Sequence, residues 1–397
     1  MTSTADRWQA ASRADVPPFH VMDLLAAAAQ RHRTHGDLLN LLAGQPSTGA
    51  PAPVRAEAVR LLESGDPLGY TPATGIFELR EAIAGHYRRS YAVDVAADDV
   101  IVTTGSSGGF LLAFLAAFDV GDRVAIARPG YPCYRNVLAA LGCEVVEIPT
   151  GPETRFQPTV EQVAAAHDQA PLAGLVVASP ANPTGTMLLP DELAAIARWC
   201  EESGVQLVSD EIYHGIEYAP LDGADRLARC AWETSREAVV FGSFSKYFSM
   251  TGWRLGWMLA PERLRRPVDV LTGNFSICPP ALAQHAAIAA FDEASYAELD
   301  GHVQRYAHNR ALLLDGLRRL GITGLAPADG AFYAYADVRH LTEDSMSYAR
   351  SLLDRTGVAV ATGVDFDTVE GGRFLRFSFA GTADDITTAL DRLEGRL

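Results

Sequence analysis

The sequence predicts an α/β protein with a mainly parallel sheet covered by helices on both faces, beside a smaller α/β layer near the C-terminus. Three observations carry this reading. From Val100 onward, short β-branched runs alternate with helix-length, Ala/Leu-rich segments. The runs are apolar at successive positions, as strands buried on both faces must be. Past residue 290 the pattern changes to a long helix followed by mixed strands and helices.

The first region ends at a proline-rich connector, QPSTGAPAP, from Gln45 to Pro53. A helical pattern follows over Val54 to Glu63, then a turn containing Gly69 and Tyr70, then an amphipathic helix beginning near Ile76. The strand runs are VIVTT, RVAIA, EVVEIP, GLVVASP, VQLVSD and AVVFGSF, with helices expected over GFLLAFLAAF and DELAAIARWCEESG. The long helix of the last region covers Ala294 to Leu320, and RFLRFSFAG reads as a strand before a final helix.

The 397 residues, 48% hydrophobic and 21% charged, suffice for a sizeable buried core and exclude disorder as the main state. At about 150 residues per domain, this length suggests two to three structural units. The net charge of −16 opposes nucleic-acid phosphates and an anionic membrane surface alike, and the densest basic run, Arg31 to His35, is short and mixed. Cys133, Cys143, Cys200, Cys230 and Cys278 show neither CxxC nor metal-type spacing, and their odd number argues against a complete disulfide framework. The N-terminus lacks the basic-then-apolar order of a secretory signal, and no apolar run reaches membrane-spanning length. A cytoplasmic protein with no nucleic-acid or membrane partner is expected.

In open α/β sheets, ligands bind beyond the carboxyl ends of the strands. Behind VIVTT stand Gly105, Ser106, Ser107, Gly108 and Gly109 at a helix start, where backbone N–H groups and hydroxyls make a seat for phosphate. Behind GLVVASP stand Asn182, Pro183, Thr184 and Gly185, and behind VQLVS stand Asp210, Glu211, Ile212 and Tyr213. Taken singly, each has a local explanation in turn chemistry or helix starts. Behind AVVFGSF, Lys246 lies among Phe244, Tyr247 and Phe248, where desolvation depresses its pKa toward the neutral amine that a Schiff-base nucleophile requires. Arg254 follows eight positions later, and its planar fork suits a phosphate dianion.

The ordered series GYTPATG, GSSGG, GYPCY, NPTG, SDEIY, SFSKYFSMTGWRLGW and RFLRFSF resembles the class I/II aminotransferases, pyridoxal-phosphate enzymes of fold type I in the aspartate aminotransferase superfamily. The resemblance covers residues 40 to 390. It implies a large domain over 51–290 with a mainly parallel seven-stranded sheet flanked by helices. It also implies a small C-terminal α/β domain over 291–397, with residues 1–50 as an N-terminal arm and part of the small domain.

For the site, the resemblance implies pyridoxal 5'-phosphate as cofactor. Lys246 corresponds to the Schiff-base lysine that also shuttles the α-proton, Asp210 to the carboxylate paired with the protonated pyridine nitrogen, and Asn182 and Tyr213 to the donors facing the ring 3-oxygen. Lys246, Asp210 and Tyr213 make the catalytic set. Tyr131 stands where the family stacks an aromatic on the ring, and Ser106, Ser107, Ser243 and Arg254 stand where it builds the phosphate cup. Tyr70 corresponds to a tyrosine supplied to the phosphate of the neighbouring subunit, so a homodimer is implied. Arg376 matches the clamp for the substrate α-carboxylate, and Gly44 and Asn182 lie on the substrate side.

The implied reaction moves an amino group between an amino acid and a 2-oxo acid. Aspartate-specific relatives hold the distal carboxylate with a lysine in the glycine turn, where this chain has Ser107, or with an arginine after the cofactor lysine. Here no Lys or Arg occurs between Arg266 and Arg305. A neutral aliphatic L-amino acid of the valine or alanine type, with pyruvate or 2-oxoglutarate as acceptor, is therefore expected. The apolar segment Val16, Pro17, Pro18, Phe19, Val21 and Met22 leads into the part of the chain that lines the side-chain pocket in the family. An aspartate aminotransferase and a same-fold carbon–sulfur β-lyase stay open as alternatives. A regulator built on this fold is disfavoured, because no basic helix-turn-helix precedes the connector.

Overall fold

A computed structural model describes residues 10–218 and 228–396. Helix α1 (His20–His35), ended by Gly36 in the left-handed region, leads to the short strand β1 (Leu39–Asn40). Helices α2 (Ala52–Ser64) and α3 (Phe77–Tyr91) follow where amphipathic patterns were expected. Pro53 sits in the first turn of α2, where its missing N–H breaks no helical bond, and Val54, Ala58 and Leu61 bury one face at helical spacing.

The large sheet has seven strands, β2 (Val100–Thr103), β3 (Arg123–Arg128), β4 (Glu144–Pro149), β5 (Gly174–Ala178), β6 (Gln206–Asp210), β7 (Val239–Ser243) and β8 (Gly256–Leu259). Their order is β2-β8-β7-β6-β5-β3-β4. All neighbours are parallel except those of β8, which runs antiparallel to β2 and β7. Successive side chains point to opposite faces, so Leu175 and Leu207 enter one core while Val176 and Val208 enter the other. Helices α4 (Gly105–Ala117) and α5 (Pro132–Leu141) close the second of these cores, α6 (Val160–Gln169) and α7 (Pro190–Ser203) cover the first, and α8 (Glu262–Phe275) returns to the second.

Two differences from the sequence reading have physical reasons. The helix expected at GFLLAFLAAF begins earlier, at Gly105, because Gly105 at φ +66° and the two serines form its first turn. A Cβ at Gly105 would overlap the Arg254 guanidinium, so only glycine fits there. Strand β8 has no counterpart in the sequence reading. It is four residues long, and its antiparallel pairing with β7 requires no crossover helix to announce it.

Helix α9 (Ala281–Ala287) leads into the long α10 (Glu293–Arg319), close to the expected span. The C-terminal layer contains β9 (Gly324–Leu325), β10 (Tyr333–Asp337), α11 (Ser345–Thr356), β11 (Val358–Ala359), β12 (Ala361–Thr362), β13 (Phe374–Ser378) and α12 (Ala383–Leu393). Four of these strands form an antiparallel sheet in the order β12-β13-β10-β9, and β11 pairs in parallel with the N-terminal β1. On that pairing we propose the division into a large domain over 51–290 and a small domain over 291–397 that takes in part of the first 50 residues. No described helix is long and apolar enough to cross a membrane.

Candidate active site

The carboxyl ends of β5, β6 and β7 and the start of α4 face a cavity of about 250 Å³, closed from the other side by α1, Gly44 and Arg376 of β13. It brings together ten of the expected site residues, while Ser243 and Tyr70 lie outside it.

Lys246 follows β7 and is the only lysine in the sequence. Its neighbours Phe244 and Phe248 are buried in an aromatic cluster with Trp257 and Phe291, which anchors the turn and aims the amine inward. The Nζ donates to the carbonyl of Gly44 at 2.7 Å and lies 5.3 Å from the ring centre of Tyr213. Burial, reinforced by Arg376 and Arg254, pushes this amine down to about 8 against the opposing pull of Asp210. A neutral nucleophile is thus accessible close to neutral pH.

Asp210 ends β6 at 3% exposure, with its carboxylate accepting from the Tyr134 hydroxyl and, at 3.1 Å, from the Ile212 N–H. Burial pushes its pKa up to about 6, although both bonds and Lys246 favour the charged form. A cation placed beside it would stabilise the carboxylate. Tyr213 shares a 2.6 Å hydrogen bond with the Tyr333 hydroxyl. Asn182, after β5, accepts from Arg376 Nη1 at 2.7 Å, while Nη2 donates to the Leu42 carbonyl at 2.9 Å. The Arg376 guanidinium is buried beside the rings of Tyr333 and Phe366, 4.4 and 4.9 Å from their centres, and its Nε has no hydrogen-bond partner among the described residues.

At the opposite end, Ser106 and Ser107 sit on the first turn of α4, where unpaired N–H groups and the helix dipole favour an anion. Arg254, itself at φ +52°, extends toward this turn and donates to the Thr251 carbonyl at 3.0 Å. Tyr131 precedes α5 and lines the cavity with its ring at 78° to Phe19, the centroids 6.4 Å apart.

Ser243 departs from the expected phosphate cup. It is 3% exposed, its Oγ accepts from the Ser245 N–H, and it faces a separate small cavity behind the sheet with His86, Glu211 and Trp257. Ser245 lines the main cavity instead. Strand β7 ends at Ser243 and the chain turns over residues 244–248, so the strand's two-residue alternation stops there and Ser245 faces the cavity that Ser243 does not. Tyr70 is 84% exposed and borders an open surface pocket that includes Thr104, the residue before α4.

Sequence reasoning passes over Tyr134, Thr251 and Tyr333, and over Leu25 at the apolar wall. Tyr134 had a signal, since GYPCY holds two tyrosines, but nothing local says which one reaches Asp210. Phe19, Val21 and Met22, expected near the side-chain pocket, line the cavity.

The donor set suits pyridoxal phosphate. It offers one amine, one buried carboxylate, a hydroxyl-rich helix start beside an arginine, and an unpartnered guanidinium nitrogen at the other end.

A family model described as aminotransferase class I and II matches residues 36–393. A curated relative from Mycobacterium tuberculosis, valine–pyruvate aminotransferase, is 63% identical over 383 residues, covering 96% of this chain and 97% of the relative. Among solved structures, an aminotransferase from Mycobacterium tuberculosis matches with a TM-score of 0.94 at 62% identity, over 98% of this chain and 99% of that one. Aspartate aminotransferase from Thermus thermophilus matches with a TM-score of 0.91 at 32% identity, over 98% of this chain and 100% of that one.

Proposed function

Because this chain belongs to the class I and II aminotransferases, a pyridoxal-phosphate-dependent enzyme family, we propose that it moves the amino group of a neutral aliphatic L-amino acid, of the valine or alanine type, to pyruvate or 2-oxoglutarate. One observation carries the substrate class. Among the described residues, the cavity is lined by three cations, Lys246, Arg254 and Arg376, and each has a task in any amino acid's reaction. None is left for a second carboxylate. Arg135 of α5, outside the cavity lining, is tied to Glu147 at 3.3 Å and to the Asp365 carbonyl at 3.2 Å. The remaining wall is apolar, made by Phe19, Val21, Met22 and Leu25. The name of the 63% identical relative supports the same class.

Pyridoxal 5'-phosphate would be held at its phosphate by Ser106, Ser107, Ser245, Thr251 and Arg254, at its ring nitrogen by Asp210, at its phenolic oxygen by Asn182 and Tyr213, and beside its ring by Tyr131. When bound, it supplies the electron sink for the carbanion at the substrate α-carbon. Arg376 takes the substrate α-carboxylate in a charge-assisted pair, and Asn182 orients it. Lys246 Nζ, pushed down to about 8 and so partly neutral near pH 7, would take the proton from the substrate α-carbon and hold it for return. The rings and aliphatic side chains of α1 keep water from the reacting atoms. The active assembly is a homodimer, with Tyr70 of each subunit completing the phosphate end of the other site.

The test compares kcat/KM for valine, alanine, leucine, aspartate and glutamate with pyruvate and 2-oxoglutarate as acceptors. An unpaired carboxylate in a closed site costs about 3 to 5 kcal/mol, so valine should lead aspartate by at least about a hundredfold. Aspartate leading valine would overturn the reading.

A further inference from the structure

Helix α1 carries the apolar wall of the cavity yet has no cap of its own. Its N-cap residue is Phe19, which offers no side-chain acceptor. The acceptor comes from the far end of the chain. Asp365, in the loop between β12 and β13, accepts the His20 N–H on Oδ1 and the Val21 N–H on Oδ2, both at 2.8 Å. Asp365 is 2% exposed, and its carbonyl accepts from Arg135 Nη2 at 3.2 Å.

The adjoining residue ties in the rest of the site. The Phe366 carbonyl accepts the Gly130 N–H at 2.9 Å, in the turn that presents Tyr131, and its ring lies under the Arg376 guanidinium. The two-residue step Asp365–Phe366 therefore joins three parts of the cavity: the α-carboxylate arginine, the turn that carries Tyr131, and the helix that carries Phe19, Val21, Met22 and Leu25. The distance between the carboxylate clamp and the apolar wall is the space left for a substrate side chain.

We infer that Asp365 is a positioning residue for substrate choice: by capping α1 from the loop before β13 it sets the reach between Arg376 and the apolar wall, and so the length and branching of the side chain accepted. The inference rests on the aliphatic reading above for the identity of the side chain. A carboxylate suits the task because it presents two acceptors to two adjacent N–H groups, as an N-cap side chain does within one helix. An amide presents one oxygen, and its NH₂ opposes the other N–H.

Two variants test it from opposite sides of the bond. Asp365→Asn changes the acceptor. His20→Pro removes one donor at the first helical position, where proline suits the helix, and its ring carbon displaces the carboxylate from that end of the bond. For each, kcat/KM is measured with valine and with alanine, whose single methyl group demands less of the wall, and the pyridoxal-phosphate dissociation constant is measured by absorbance titration of the apoenzyme. Loss of a hydrogen bond to a charged group predicts that the valine-to-alanine ratio falls about tenfold in both variants, through KM and with kcat little changed. Cofactor affinity should stay within about twofold of the wild type, because the phosphate end is untouched. A uniform fall for both donors, or an unchanged ratio, overturns the inference. Should Asp365→Asn fail to fold, His20→Pro alone decides. A wild-type preference for aspartate over valine overturns the aliphatic reading only, and Asp365 is then judged by the same ratio taken between the best donor and alanine.

Discussion

The Nζ of Lys246 donates a 2.7 Å hydrogen bond to the carbonyl oxygen of Gly44, across 202 positions of sequence. The one amine that carries the chemistry is thus docked on the N-terminal segment that helps close the cavity. Residue 44 must be small for the same reason. A Cβ there would stand 2.8 Å from Tyr333 Oη and 3.6 Å from the ring carbon that bears it, so the hydroxyl alone is the obstacle.

Gly44→Ala should therefore lower kcat/KM by about tenfold or more, since overpacking of this kind costs about 1 to 3 kcal/mol. Tyr333→Phe removes the clashing oxygen. The double variant should be more active than Gly44→Ala alone, even though Tyr213 loses its partner. Steady-state kinetics of the four proteins give the answer, and a double variant no better than Gly44→Ala would refute the steric cause.

Lys246→Ala should abolish transamination and the yellow colour of the cofactor complex while leaving the circular dichroism spectrum unchanged. The solitary lysine allows a sharper check. Borohydride reduction of the wild type with pyridoxal phosphate should place the side-chain adduct in the peptide that contains Lys246, as read by mass spectrometry. Activity surviving in Lys246→Ala would remove this residue from the mechanism.

Glu211 lies behind Asp210 with its Oε1 accepting from the Ala231 N–H at 2.8 Å and the Ser209 hydroxyl at 2.9 Å. Burial nevertheless pushes its pKa from 4.5 up to about 8. The unfolded chain sheds this proton first as pH rises, so the stability Glu211 contributes is full below about 4.5 and is lost as pH climbs through about 8. Glu211→Gln keeps an acceptor without the charge. Its Tm should fall less between these limits and exceed that of the wild type at pH 8 by at least about 2 °C. Parallel Tm profiles would contradict the buried neutral acid.

Tyr70 is exposed, and its surface pocket abuts the residue before α4. Mixing Lys246→Ala subunits with Tyr70→Phe subunits should regenerate part of the activity, because each hybrid dimer then contains one intact site, whereas mixing Lys246→Ala with Arg254→Ala, two residues of one subunit's cavity, should regenerate none. A monomeric holoenzyme, as seen by light scattering, would rule out the shared site.

What the sequence by itself determined is the set of features encoded over a few residues. Apolar runs located all six strands that it proposed for the large sheet, and turn residues behind them located Asn182, Asp210, Lys246 and Arg254, because torsional preference, burial period and strand-end chemistry are local. Only the tertiary structure decided the partners. It chose Tyr134 over Tyr131 for Asp210, Ser245 over Ser243 for the cavity, and Asp365 as the cap of a helix 345 positions away. It also inserted β8 between β2 and β7. These outcomes depend on strand order and on how α1 and β13 meet across the cavity, and contacts between distant segments leave no period or spacing in the chain from which to read them.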